Sequence, residues 1–168
     1  TLWSAVLRVP PDTIIEKIPW HDAVANSVDP GEPWTRVGPL DVLSNFDVVL
    51  QRAPSSIAVI EGNRRWTYQQ LDELAHSIAY ELLERGTKPG DIVALGLQRG
   101  AFTIAAMLGV LRAGGAYLPL DLDNPVERLR YLIENASVRV VIGQQISAAL
   151  CAKLQVELLD VSSVKPGR

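Results

Sequence analysis

The chain has 168 residues, 48% of them apolar and 21% charged, with a net charge of −3. That mix suits one globular domain with its own core and excludes a disordered charged tail. The slight acidity gives no electrostatic footprint for nucleic acid, since the one compact basic cluster, Arg64–Arg65, falls in a turn. A single cysteine, Cys151, excludes an internal disulfide framework and suits a reducing cytoplasm. No apolar run approaches the length of a membrane span, and the N-terminus has neither the basic region nor the apolar stretch of a secretory signal. The chain begins at Thr1 without a methionine, which reads as a piece of something longer.

Residues 1–43 carry Pro10, Pro11, Pro19, Pro30, Pro33 and Pro39 among Trp3, Trp20 and Trp34. Proline fixes φ and removes a donor, so this is an irregular, partly extended stretch, either a packed N-terminal arm or an interdomain linker. Three large rings are foreign to a disordered tail, and the arm is expected to lie along a folded surface. Residues 44–168 are regular. Phe46, Val49 and Leu50 give a short amphipathic helix that stops before Pro54. Ile57–Ile60 and Arg65–Thr67 flank Glu61-Gly62-Asn63 as a hairpin. Thr67 and Gln70 form a capping box for the next helix, with Trp66 and Leu71 as its hydrophobic staple. Leu71, Leu74, Ala75, Ile78, Leu82 and Leu83 keep one apolar face, and Gly86 is the stop.

After the turn Lys88–Asp91, the continuous apolar run Ile92–Leu97 suits a strand buried on both faces. A helix follows over 101–113, with Ile104, Met107, Leu108 and Leu111 on its apolar side, and Gly114 ends it. Ala116–Leu120 is the next strand. Asp123 or Asn124 caps another helix, with Pro125 at its first position and Glu127 in its first turn. Strand 138–142, helix 146–154 and strand 156–159 complete the pattern. Alternation of this kind means parallel βαβ units and an α/β layered fold.

Five segments together carry a family resemblance. They are Trp-Thr-Tyr-Gln-Gln-Leu at 66–71, Gly-Thr-Lys-Pro-Gly-Asp at 86–91, Leu-Gln-Arg at 97–99, the run Leu111–Asp121 (Leu-Arg-Ala-Gly-Gly-Ala-Tyr-Leu-Pro-Leu-Asp), and Asn-Pro-Val-Glu-Arg-Leu at 124–129. In this order and spacing, over about Ser44–Gln144, the chain resembles the N-terminal portion of nonribosomal peptide synthetase adenylation domains, within the AMP-forming acyl-adenylate superfamily. Leu122 departs from the proline that often follows the aspartate. The resemblance implies a partial N-terminal subdomain of an adenylate-forming enzyme, and for the complete parent domain an ATP- and Mg-dependent formation of aminoacyl-AMP. The acyl group then passes to the phosphopantetheine thiol of a carrier domain. It also implies a cytoplasmic multidomain synthetase of secondary metabolism, with a condensation-type domain upstream and the rest of the adenylation domain or a carrier domain downstream.

That chemistry needs a hydroxyl- and glycine-rich phosphate loop, a lysine aimed at the reacting carboxylate and an acidic group for the substrate ammonium. None has a counterpart here; Ser162-Ser163-Val164-Lys165-Pro166-Gly167 lacks the threonines and the glycine pair. No catalytic, cofactor-binding or metal residue is therefore assigned. Gly114 and Gly115 read as a helix stop and close packing rather than a nucleotide contact. Tyr117 and Asp121 share a strand face without convergence, and Tyr117 is expected buried with its hydroxyl bonded. His76 is placed toward solvent, His21 lies beside Asp22 in the arm, and the spacing of the two histidines from Cys151 suits no metal. Cys151 is placed as a small core residue, Ser55-Ser56 and Ser162-Ser163 as loop serines, and Glu81, Glu84 and Arg85 as a solvated helix face.

The first reading is thus a structural portion of an adenylation domain, inactive alone. A second is a naturally truncated, non-catalytic adenylation domain serving as scaffold or docking element in a megasynthase; the coding sequence beyond Arg168 separates the two. A third, an unrelated small nucleotide-binding protein, is disfavoured by the missing phosphate fingerprint, and a fourth keeps the superfamily with an aryl or fatty acid substrate. Half of a sheet subdomain is expected to expose apolar surface, and so to associate or to need a partner domain.

Overall fold

The computed structural model describes residues 41–144, 146 and 148–164. The arm expected over residues 1–43, with its tryptophans and prolines, lies almost wholly outside the described residues. Asp41 opens the first helix, α1 (Val42–Arg52), by accepting the Ser44 N–H at 2.8 Å. The Ser44 hydroxyl, and after it this backbone bond, hold the Asp41 carboxyl below its usual range. The hairpin is β1 (Ile57–Glu61) and β2 (Arg64–Thr67), antiparallel, reversed at Gly62 with φ 57°. Thr67 then caps α2 (Tyr68–Glu84) with both bonds of the capping box, Gln70 N–H to Thr67 Oγ1 at 3.2 Å and Thr67 N–H to Gln70 Oε1 at 3.0 Å.

The remaining elements alternate: β3 (Ile92–Gly96), α3 (Ala101–Arg112), β4 (Ala116–Pro119), α4 (Val126–Asn135), β5 (Val140–Gly143), α5 (Ala148–Leu154) and β6 (Glu157–Asp160). The four strands pair in parallel in the order β4-β3-β5-β6. Successive side chains go to opposite faces. Val93, Leu95, Val140, Ile142 and Leu159 pack under α2 and α3, while Ala94 and Val141 pack under Leu129 and Ile133 of α4 and Leu154 of α5. With helices on both faces, β3 and β5 are buried almost throughout, as the apolar run 92–97 requires.

Each helix from α2 to α5 ends in the same paired backbone bonds and delivers the chain to a strand. Gly86 N–H bonds Leu83 O and Thr87 N–H bonds Leu82 O; the matching pairs are Gly114 to Leu111 with Gly115 to Val110, Ser137 to Glu134 with Val138 to Ile133, and Gln155 to Ala152 with Val156 to Cys151. The residue past the cap is left-handed in every case, at φ 76°, 80°, 52° and 55°. Two of the four are thus not glycine. The turn before β3 is tied by Asp91, whose carboxylate accepts the Lys88 N–H at 2.9 Å and faces the Arg139 guanidinium. Both hold Asp91 below the usual carboxylate range, so its contribution is present at neutral pH and is lost as pH falls through that lowered value.

Two local expectations are corrected. The buried side of α3 is not Ile104, Met107 and Leu111 but the small residues Ala101, Ala105, Ala106 and Gly109 with Leu108 and Val110; Ile104 is 39% exposed. The reason is distance: a Cβ on Gly109 would stand 2.8 Å from the Ala75 carbonyl and from Ile78 Cγ2, so α2 and α3 touch backbone to backbone. Nor do Asp123 or Asn124 cap α4. Pro125 is itself the cap, at φ −53° and ψ 144°, and its carbonyl accepts the N–H groups of Arg128 and Leu129.

Gly109→Ala separates propensity from packing: alanine is favoured by about 1 kcal/mol in an open helix, whereas overpacking here costs about 1–3 kcal/mol. Urea unfolding is expected to show the variant less stable. In contrast, Ser137→Gly or Gln155→Gly relieves about 1–2 kcal/mol of left-handed strain, offset by about 0.4–1 kcal/mol of unfolded-chain entropy. Each is expected to raise the unfolding midpoint.

Candidate functional site

In an open parallel sheet whose second strand lies on one side of the first and whose third lies on the other, the natural ligand position is the crevice at the carboxyl ends of the first and third strands. Here those strands are β3 and β5. Gly96 and Gly143 close them, facing each other across the sheet. The missing side chains leave a notch, and the protein fills it. Ile146 Cδ1 stands 2.9 Å and Leu122 Cδ1 3.1 Å from where a Gly96 Cβ would be, and Ile146 also lies against Gly143. The crevice is therefore packed with aliphatic carbon from the two loops that border it.

The second place where this architecture favours an anion is the N-terminus of the helix after the first strand, whose free N–H groups and dipole attract phosphate. For α3 that position is Gly100, which offers no side-chain cap. The Glu61 carboxylate of the hairpin sits directly over it, at the spot a Gly100 Cβ would occupy. A carboxylate there complements the helix dipole and repels a phosphate at the same point. Among the described residues no group of three or more His, Cys, Asp or Glu side chains is arranged to hold a metal ion. The described residues thus do not fit a nucleotide phosphate or its magnesium ion at either position, and no reaction step is derived through them.

The run Leu111–Asp121 does mechanical work instead. Arg112 Nη2 reaches Asp47 of α1 at 2.6 Å and Asp72 of α2 at 2.7 Å, pinning three helices together from a position 15% exposed. Gly114 turns the chain at φ 80° and its carbonyl accepts the Gly90 N–H at 2.9 Å. Gly115 brings the backbone so close that a Cβ would stand 3.0 Å from the Asp91 carbonyl. The sequence-based expectation for Tyr117 is corrected: it is 39% exposed, because β4 is an edge strand. Asp121 is past the end of β4, so the two do not share a strand face. Its carboxylate accepts the Asp123 N–H at 3.1 Å and its carbonyl the Asn124 side chain at 2.9 Å, which makes it a turn residue.

Of the other candidates, His76 faces solvent with Nδ1 3.3 Å from Asp72 Oδ1. His21 and Asp22 lie outside the described residues. Ser55-Ser56 and Ser162-Ser163 are in turns, and the Ser163 hydroxyl donates to the Asp160 carbonyl at 2.7 Å. Arg85 is less solvated than its helix position suggested, since its Nε meets Glu157 of β6 at 2.8 Å. Glu61, Leu122 and Ile146, which occupy the two ligand-favouring positions, carried no sequence signal: nothing local ties Glu61 to Gly100 across nearly forty residues of chain.

A parallel sheet of this order, layered with helices on both sides, is the fold of the N-terminal subdomain of adenylate-forming enzymes. Residues 46–166 match the AMP-binding enzyme family, and the chain belongs to it. It is 40% identical over 116 residues to bacitracin synthase 1 of Bacillus licheniformis, covering 69% of this chain and 2% of that protein. In structure it is similar to the nonribosomal peptide synthetase FmoA3, solved bound to α-methyl-L-serine-AMP, with a TM-score of 0.65 and 32% identity over 76% of this chain and 15% of the other. The N-terminal subdomain of Klebsiella oxytoca NpsA, solved with 3-hydroxyanthranilyl-AMSN, shares the fold with a TM-score of 0.63 at 24% identity, over 76% of this chain and 32% of that one. The chain spans only 1–2% of the length of the first curated relatives it matches.

Cys151 is the one thiol, and it is 7% exposed on α5, where burial pushes its pKa up. A buried, protonated thiol is a poor nucleophile. Thiol-specific reagent at neutral pH is expected to modify Cys151 much more slowly in the native protein than in urea. Equal rates in both would place the thiol in the open.

Proposed function

We propose that this chain forms the opening part of an amino-acid adenylation domain in a nonribosomal peptide synthetase, where it serves as scaffold and supplies no reacting group. The observation that carries this reading is the family match over 46–166 combined with the filling of both ligand-favouring positions by the chain's own Ile146, Leu122 and Glu61. The amino-acid branch is supported by the identity to bacitracin synthase 1. The parent domain would join an amino acid to AMP with ATP and magnesium, then pass it to a carrier-domain thiol. Those groups would be held by residues that the matched region does not contain. Residues 1–43 would act as the arm or linker before that domain, next to a condensation-type neighbour, and residues 44–168 as its first α/β layers. The setting is the cytoplasm, in keeping with one buried thiol; among the described residues no helix is long and apolar enough to cross a membrane.

ATP–pyrophosphate exchange tests it directly. The purified 168-residue protein, assayed with each proteinogenic amino acid and magnesium, is expected to give background exchange only. Amino-acid-dependent exchange above background, lost on denaturation, would overturn the scaffold reading.

A further inference from the structure

We draw no further inference here: the strongest candidate, the open apolar groove between β1 and α3 walled by Val59, Ile60, Ile104 and Met107, carries nothing because nothing in the structure shows what covers it.

Discussion

The backbone contact between α2 and α3 sets the geometry on which the rest of the fold depends. It exists because Gly109 has no side chain at the point where the Ala75 carbonyl arrives, and because Ala105 and Ala106 keep that face of α3 shallow. Brought this close, α3 lies low on the sheet and covers Val93, Leu95 and Ile142 with small residues. The same approach carries Arg112, one turn further on, within reach of Asp72 on α2 and Asp47 on α1. A partly buried cation is stabilising only where its partners are held in place. The seam holds them, and the ion pairs in turn fix the end of α3 from which Gly114 and Gly115 descend to the turn before β3. The most recognisable run of the sequence is thus the lower half of one helix–helix seam and its exit.

What could be read from the sequence follows the range of the interactions concerned. The capping box at Thr67 and Gln70, the glycine stops at Gly86 and Gly114, and the hairpin at Gly62 each involve residues within a few positions of one another, so composition and spacing reveal them. The buried character of β3 was legible too, because a strand covered on both faces needs an unbroken apolar run whatever covers it. Apart from the cap of α4, which falls on Pro125 rather than on Asp123 or Asn124, the misreadings were non-local. Large aliphatic residues marked one side of α3 as apolar, yet the choice of buried face was made by α2, which only small residues could meet. The exposure of Tyr117 follows from β4 being at the edge of the sheet, a property of strand order that β4 does not encode. Left-handed Ser137 and Gln155 escaped notice because the paired backbone bonds that impose φ > 0 impose it on any residue at that position, and glycine merely lowers the strain.

The candidate site shows the same division more sharply. The fold class alone directs attention to two places, the crevice between β3 and β5 and the start of α3, and the sequence supplies a glycine at each: Gly96, Gly143 and Gly100. Read locally, glycines at strand ends and a helix start invite a phosphate. The structure explains Gly96 and Gly100 by neighbours far along the chain, Ile146 with Leu122 for the first and Glu61 for the second, whereas Gly143 makes room for Ile146 three residues on. Fold analogy is a guide to location, while chemistry belongs to side chains. Here the crevice is filled by aliphatic side chains, and the start of α3 is occupied by the carboxylate of Glu61.

Glu61 joins these observations. Its carboxylate rests at the α3 N-terminus, where the dipole is worth about 0.3–1 kcal/mol to an anion, and this contact draws the tip of the hairpin onto α3. The hairpin also packs on the core through Ala58, Val59 and Trp66, the last with its ring edge-on to Phe102 of α3 at 5.6 Å between centroids. An open groove lies between β1 and α3, lined by Val59, Ile60, Ile104 and Met107, with Glu61 and Gly100 also on its lining. The residue whose carboxylate occupies the α3 terminus therefore also borders the apolar groove beside it.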